Sequence, residues 1–145
     1  MNSITKLSKK YLIMTSKVEY KGHLRTISTH IKSGEQIITD APIDNNGKGE
    51  AFSPTDMVAN SVATCMLTIM GITAKKRNLN IDGTIAMIEK IMAANPRRIS
   101  KLNIEVVFPN KNYTAEDKEL LIKVALNCPV IMSIHPNIEK NVSFK

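Results

Sequence analysis

A chain of 145 residues and 16.1 kDa has the length of one domain. Its 43% hydrophobic and 23% charged residues supply enough apolar material for a core and exclude the disordered class. Two cysteines are too few for a disulfide-stapled scaffold or a thiolate zinc site, and the three histidines (His23, His30, His135) lack the spacing of a local metal site. The net charge of +7 is concentrated at the start: residues 1–30 carry six Lys/Arg against one acid, and residues 31–145 carry fourteen against twelve. The body is nearly neutral. No basic run is interleaved with aromatics, as a nucleic-acid stacking surface requires, so nucleic acid is not an expected partner.

Residues 1–16 read as a peripheral N-terminal extension, and 17–145 as the domain. The apolar piece from Tyr11 to Met14 is too short for a signal peptide, which points to the cytoplasm and to cysteines resting as thiols. Residues 17–40 are expected to form short strands, with Arg25, Ile27, Thr29 and Ile31 on one face of a strand and a turn at Lys32-Ser33-Gly34-Glu35. A turn-rich loop is expected from Asp40 to Gly49.

The segment from Ser53 to Asn78 is predicted as a helix. Ser53 suits the cap, Pro54 the first turn, Asp56 the positive end, and Lys75, Lys76 and Arg77 the negative end. Val58, Val62, Cys65, Met66, Ile69 and Ile72 form its apolar stripe. Eighteen residues between Asp56 and Lys75 carry no charge. That meets the length of a membrane span, yet Asn60, Ser61, Thr64, Thr68, Gly71 and Thr73 are too polar for hydrocarbon. A helix of roughly 38 Å, apolar on most sides, exceeds what one small domain can surround, so a second subunit is expected to help cover it.

Thr84 to Ala94 has an ambiguous period, and a strand is the economical reading. Asn95-Pro96 marks a turn, and Leu102, Ile104, Val106 and Phe108 alternate as a strand. Thr114, with Asp117 three residues on, caps a helix whose apolar face is Leu120, Leu121 and Val124. Pro129 ends that helix near Cys128, and Ile138, Val142 and Phe144 share one face of a last strand, with Lys140 the polar exception. The order is an α+β pattern.

Cys65 lies about three turns into the long helix, and Cys128 precedes Pro129 at a helix break. A helix starting at Pro129 would aim N–H groups at the Cys128 sulfur and lower its pKa. Spacing alone supports a possible dithiol, or two small buried hydrophobes.

The runs SPTDMVANSVATCMLTIMGITAKK and CPVIMSIHP resemble the OsmC/Ohr family, osmotically inducible protein C and the organic hydroperoxide resistance proteins. The tract PIDNNGKGEAFSPTD, with NPRR between strands, looks most like the OsmC-like branch. The resemblance implies antiparallel sheets wrapped around long central helices in an intertwined homodimer. It implies a thiol peroxidase that reduces organic, including lipid, hydroperoxides, with Cys65 peroxidatic, Cys128 resolving and a dithiol reductant restoring both. No metal, flavin or other cofactor and no membrane is implied. An activating cation is implied in the first hairpin, where Arg25 competes with Lys21 and His23. The family's acid after the helix-start proline is replaced by Thr55, leaving Glu50 or Asp56 to substitute. Met66 and Met132 are expected to line an apolar pocket, and His135 either assists a thiolate or serves a turn. The alternative is a non-catalytic module that binds an acyl or other small ligand.

Overall fold

The computed structural model describes residues 13–109 and 112–145. The chain divides into two compact units, Met1–Thr55 and Asp56–Lys145. Most of the expected extension, residues 1–12, lies outside the described residues.

The first unit is a three-stranded antiparallel sheet in the order β1 (Ser16–Gly22), β2 (Arg25–His30), β3 (Gln36–Asp40). His23 and Leu24 turn the first hairpin with φ of 51° and 61°, left-handed values that histidine tolerates and leucine does not favour. The second hairpin turns at Lys32–Gly34, as the turn signal predicted, and its register sets Arg25 opposite Asp40. Asp40 is therefore the last residue of a strand, not the first of a loop, and it is buried. The tract that follows folds tightly: a 3-10 turn spans Ile43–Asn45, and a Cβ on Gly47 would lie 1.7 Å from the Ala41 carbonyl oxygen. Only glycine allows that approach, and it brings the chain back so that Glu50 N–H reaches Asp40.

The second unit is built on α1 (Pro54–Lys76), which starts at the expected proline. The sheet beside it has the order β4 (Ile85–Ala93), β5 (Arg98–Val107), β6 (Glu139–Phe144). Between β5 and β6 lie α2 (Ala115–Leu126) and the short α3 (Pro129–Ser133). The Thr114 hydroxyl accepts the Asp117 N–H at 3.1 Å, so the predicted cap forms. One pairing departs from the antiparallel expectation: β6 runs parallel to β5. The α2–α3 connection is long enough to return the chain to the same end of the sheet, as a parallel pair requires.

The core cluster joins Met66, Met70 and Val62 of α1 to Leu102, Ile104 and Val106 of β5, to Leu121 and Ala125 of α2, and to Cys128. The buried stripe of α1 differs from the expected one. Ala59, Val62, Ala63, Met66, Met70 and Ala74 are buried, whereas Val58 and Ile72 are exposed. Strand β4 presents Ala86, Ile88 and Met92 to the core and leaves Ile85, Met87 and Ile91 exposed. On the core-facing row, Lys90 ion-pairs with Asp56, and Lys140 lies opposite Leu102.

Leu102 is fully buried at the centre of β5. Leu102→Ala is expected to lower the unfolding free energy by about 2–5 kcal/mol, read from urea midpoints at constant slope. Met132→Ala, on the exposed face of α3, is expected to change it by no more than about 0.5 kcal/mol.

Candidate active site

Cys65 and Cys128 come together inside the second unit. Cys65 is half-buried on α1 and packs against the core cluster of which Cys128 is a fully buried member. Both are free thiols, and they lie near enough for Cys65 to act on the Cys128 thiol. Sixty-two residues separate them in the chain, and the packing of α1 against the α2–α3 junction closes that gap.

Three ties hold Cys128 in place. Its N–H donates to the Ala125 carbonyl at 3.2 Å, its carbonyl accepts the Met132 N–H at 3.2 Å, and its Sγ caps α3 by accepting the Ile131 N–H at 3.5 Å. Pro129 follows at the first helical position, where its fixed φ starts the helix and its missing N–H costs nothing. The cap is the one anticipated, but the charge consequence is reversed. Burial in the apolar core pushes the Cys128 thiol above its ordinary value. The neighbouring Cys65 pushes the same way, and the N–H groups of Ile131 and Val130 pull it down by less. Cys128 therefore holds its proton more tightly than a free cysteine.

A second group of side chains lies in the first unit. Arg25 opens β2, directly across from Asp40. Its Nε donates to Asp40 Oδ1 and its Nη2 to Asp40 Oδ2, both at 2.7 Å, and Nη2 also donates to Glu50 Oε2 at 2.8 Å. These hydrogen bonds hold the Arg25 guanidinium charged well above its ordinary range and lower the Asp40 carboxyl. The hairpin that carries Arg25 is pinned on both sides: Leu24 N–H donates to the Tyr20 hydroxyl at 3.3 Å, and Ala41 N–H donates to the Leu24 carbonyl at 3.0 Å.

The other candidates are engaged elsewhere. Lys21 pairs with Glu19, and His23 sits exposed in the turn. Asp56 pairs with Lys90, and the Thr55 hydroxyl lies 3.1 Å from that of Ser53. His135 is exposed, and its Nδ1 accepts the Asn137 N–H, which makes it a turn residue. Met66 is buried in the core while Met132 is 71% exposed on α3, so the two do not line one apolar pocket. A groove of about 740 Å³ lies on the sheet of the second unit, between Met87, Glu89, Asn103, Glu105 and Asn141, and neither cysteine lines it. Among the described residues no group of three or more His, Cys, Asp or Glu is placed to hold a metal ion.

Sequence reasoning missed Asp40. The signal was present in the turn at residues 32–34, because folding the two strands about that turn sets Arg25 against Asp40.

The family profile described as OsmC-like protein matches residues 47–143. Comparison with curated proteins gives no match. A structure from Psychrobacter arcticus, named as a candidate osmotic stress induced and detoxification response protein, is 50% identical, with a TM-score of 0.88 over 92% of this chain and 96% of that one. The Legionella pneumophila organic hydroperoxide resistance protein OsmC shares the fold at 17% identity, with a TM-score of 0.70 over 92% of this chain and 98% of that one. The organic hydroperoxide resistance protein OhrB of Bacillus subtilis does so at 19% identity, with a TM-score of 0.59 over 92% and 99%. The profile covers two thirds of the chain, the Psychrobacter protein is similar over 92% of it, and the α+β architecture is the one these proteins have in common; the chain belongs to the OsmC-like family.

Proposed function

We propose that the protein is a thiol peroxidase that reduces organic hydroperoxides through a Cys65/Cys128 cycle. The observation that carries this reading is the proximity of two free thiols remote in sequence, packed together in an apolar interior. Sulfur chemistry needs that proximity and no cofactor. The Cys65 thiolate attacks the terminal oxygen of the hydroperoxide and the O–O bond breaks. The sulfur gives up two electrons, the alkoxide leaves as the alcohol with a proton, and a sulfenic acid remains. Cys128 attacks that sulfur, an S–S bond forms, and the hydroxyl leaves as water with the Cys128 proton. An external dithiol then reduces the disulfide by exchange and returns both thiols.

The raised pKa of Cys128 supports the division of roles. A thiol that keeps its proton is a poor first nucleophile and a suitable proton donor to departing water. The family resemblance assigns the activating cation of such a reaction to the first hairpin, and there Arg25 pairs with Glu50, an acid available in place of the one that Thr55 replaces. The reading places the protein in the cytoplasm, in defence against oxidative stress.

A homodimer belongs to the same reading. Val58 and Ile72 leave apolar surface on α1, and the hydroxyls of Ser61, Thr64 and Thr68 donate to carbonyls of their own helix, which makes that face drier than its composition. Val18, Tyr20, Ile37 and Ile38 likewise expose apolar surface on the β1–β3 sheet. A second copy is the covering partner that closed symmetry favours.

One equivalent of cumene hydroperoxide is expected to consume both thiols of the wild type rapidly, with recovery on adding a dithiol, and to leave Cys65→Ser without disulfide. Thiols that persist through prolonged exposure would sink the enzyme and favour a ligand-binding module. In Cys65→Ser, alkylation of the remaining thiol is expected to titrate above about pH 8.5, the value of a free cysteine. The sign for stability follows: the folded state keeps a proton that the unfolded chain releases. The contribution of Cys128 is thus full below the unfolded value and fades as pH rises through the folded one. A midpoint below that of free cysteine would contradict the resolving role. Equilibrium sedimentation at micromolar concentration is expected to give twice the 16.1 kDa chain mass, and a monomer there would refute the dimer.

A further inference from the structure

Arginine has five N–H donors in a rigid planar fork. Asp40 takes two of those of Arg25, from Nε and Nη2, and Glu50 takes a third, from Nη2. Among the described residues no hydrogen bond engages Nη1. The two acids are unequal partners. Asp40 is 2% exposed and grips the guanidinium at two points, from the facing position on the neighbouring strand. Its own Oδ2 accepts the Glu50 N–H at 3.2 Å, and its backbone N–H donates to the Phe52 carbonyl at 3.1 Å. The side chain of Glu50 is 62% exposed and holds by one bond. A two-point carboxylate grip fixes the plane and rotation of a guanidinium, whereas a single exposed ion pair exchanges readily with water.

We propose that Asp40 is the positioning residue of this site: it locks Arg25 through Nε and Nη2 so that the Nη1 edge is presented to the oxygen of an incoming ligand, with Glu50 an exchangeable second acceptor. The strained turn before Arg25 fits this arrangement, since left-handed His23 and Leu24 bring β2 into the register that sets Arg25 against Asp40. The assignment of Asp40 stands on the geometry of the first unit alone. Its kinetic consequence rests on the peroxidase reading above.

The test follows the Arg25 guanidinium by nitrogen-15 side-chain spectroscopy of the full chain, with Arg25→Lys to assign the signals. In the wild type, hindered rotation is expected to give Arg25 separately resolved Nη resonances. Glu50→Gln is expected to retain them, Asp40→Asn to average them, and Asp40→Glu to restore them in part. Averaging in Glu50→Gln, or retention in Asp40→Asn, overturns the proposal. If Asp40→Asn does not fold, Glu50→Gln still decides, because averaging there would name the wrong acid. With cumene hydroperoxide, Asp40→Asn is expected to lower kcat about tenfold or more, with a smaller change in KM, and Asp40→Glu to recover part of the loss. A folded Asp40→Asn with wild-type kcat would overturn the proposal even with averaged resonances. A wild type that does not turn over hydroperoxide removes the peroxidase reading, and the spectra still judge Asp40.

Discussion

Eighteen consecutive residues without a charge, wound into one helix, are the constraint on which the second unit is built. Such a helix cannot stand in water, and β5, α2 and the Cys128 junction bury one of its faces. The buried stripe contains three alanines beside Val62, Met66 and Met70. Small side chains let neighbouring elements approach the helix backbone, and long methionines fill the remaining irregular space. The same packing sets the chemistry. Cys65 is held at the margin of the core because it lies on the flank of that stripe, and Cys128 is drawn fully inside because the α2–α3 junction closes over it.

Two physical effects compete at Cys128. The N–H groups at the start of α3 favour a thiolate, and the apolar surroundings favour the neutral thiol. Burial wins because α3 is a single short turn with few aligned peptide dipoles, while the sulfur has lost all its water. Helix-end placement alone suggested the opposite order of activation for the two cysteines. Once desolvation is counted, helix-end placement no longer argues for Cys128 as the more activated thiol.

Much of this was legible from residue order, and the failures have identifiable causes. The helix start at Pro54, the Thr114–Asp117 cap and the break before Pro129 rest on short-range stereochemistry, which tertiary packing does not overturn. The alternation of β5 was clear because one face is buried and the other is not. Strand β4 was ambiguous because its outward positions carry Ile85, Met87 and Ile91, apolar residues that erase a two-residue period. The stripe of α1 was read one position off because alanine counts little in a hydrophobic pattern, while Val58 and Ile72 count much. Asp40 read as loop because an acid beside Ala-Pro suggests a turn, and only the pairing across two strands shows that it faces Arg25. The parallel β6 depended on where α2 and α3 return the chain, which no local pattern encodes.

The charges around Arg25 bear on what the site can recognise. One guanidinium faces two carboxylates, and Lys48 also acts on Asp40, so the cluster carries no net positive charge. Its field at a distance does not draw anions, and screening weakens it further. What Arg25 retains is direction: a planar fork with two donors uncommitted among the described residues, held by a partner that does not move with solvent. Directed donors favour a ligand whose negative charge appears during reaction over one that arrives charged. On the peroxidase reading the ligand is an alkyl hydroperoxide, neutral before reaction, whose leaving oxygen gains charge only as the O–O bond breaks. For such a ligand a clamped arginine with its charge already balanced would suit that change better than an exposed cation, because its interaction with the oxygen would grow as the reaction proceeds.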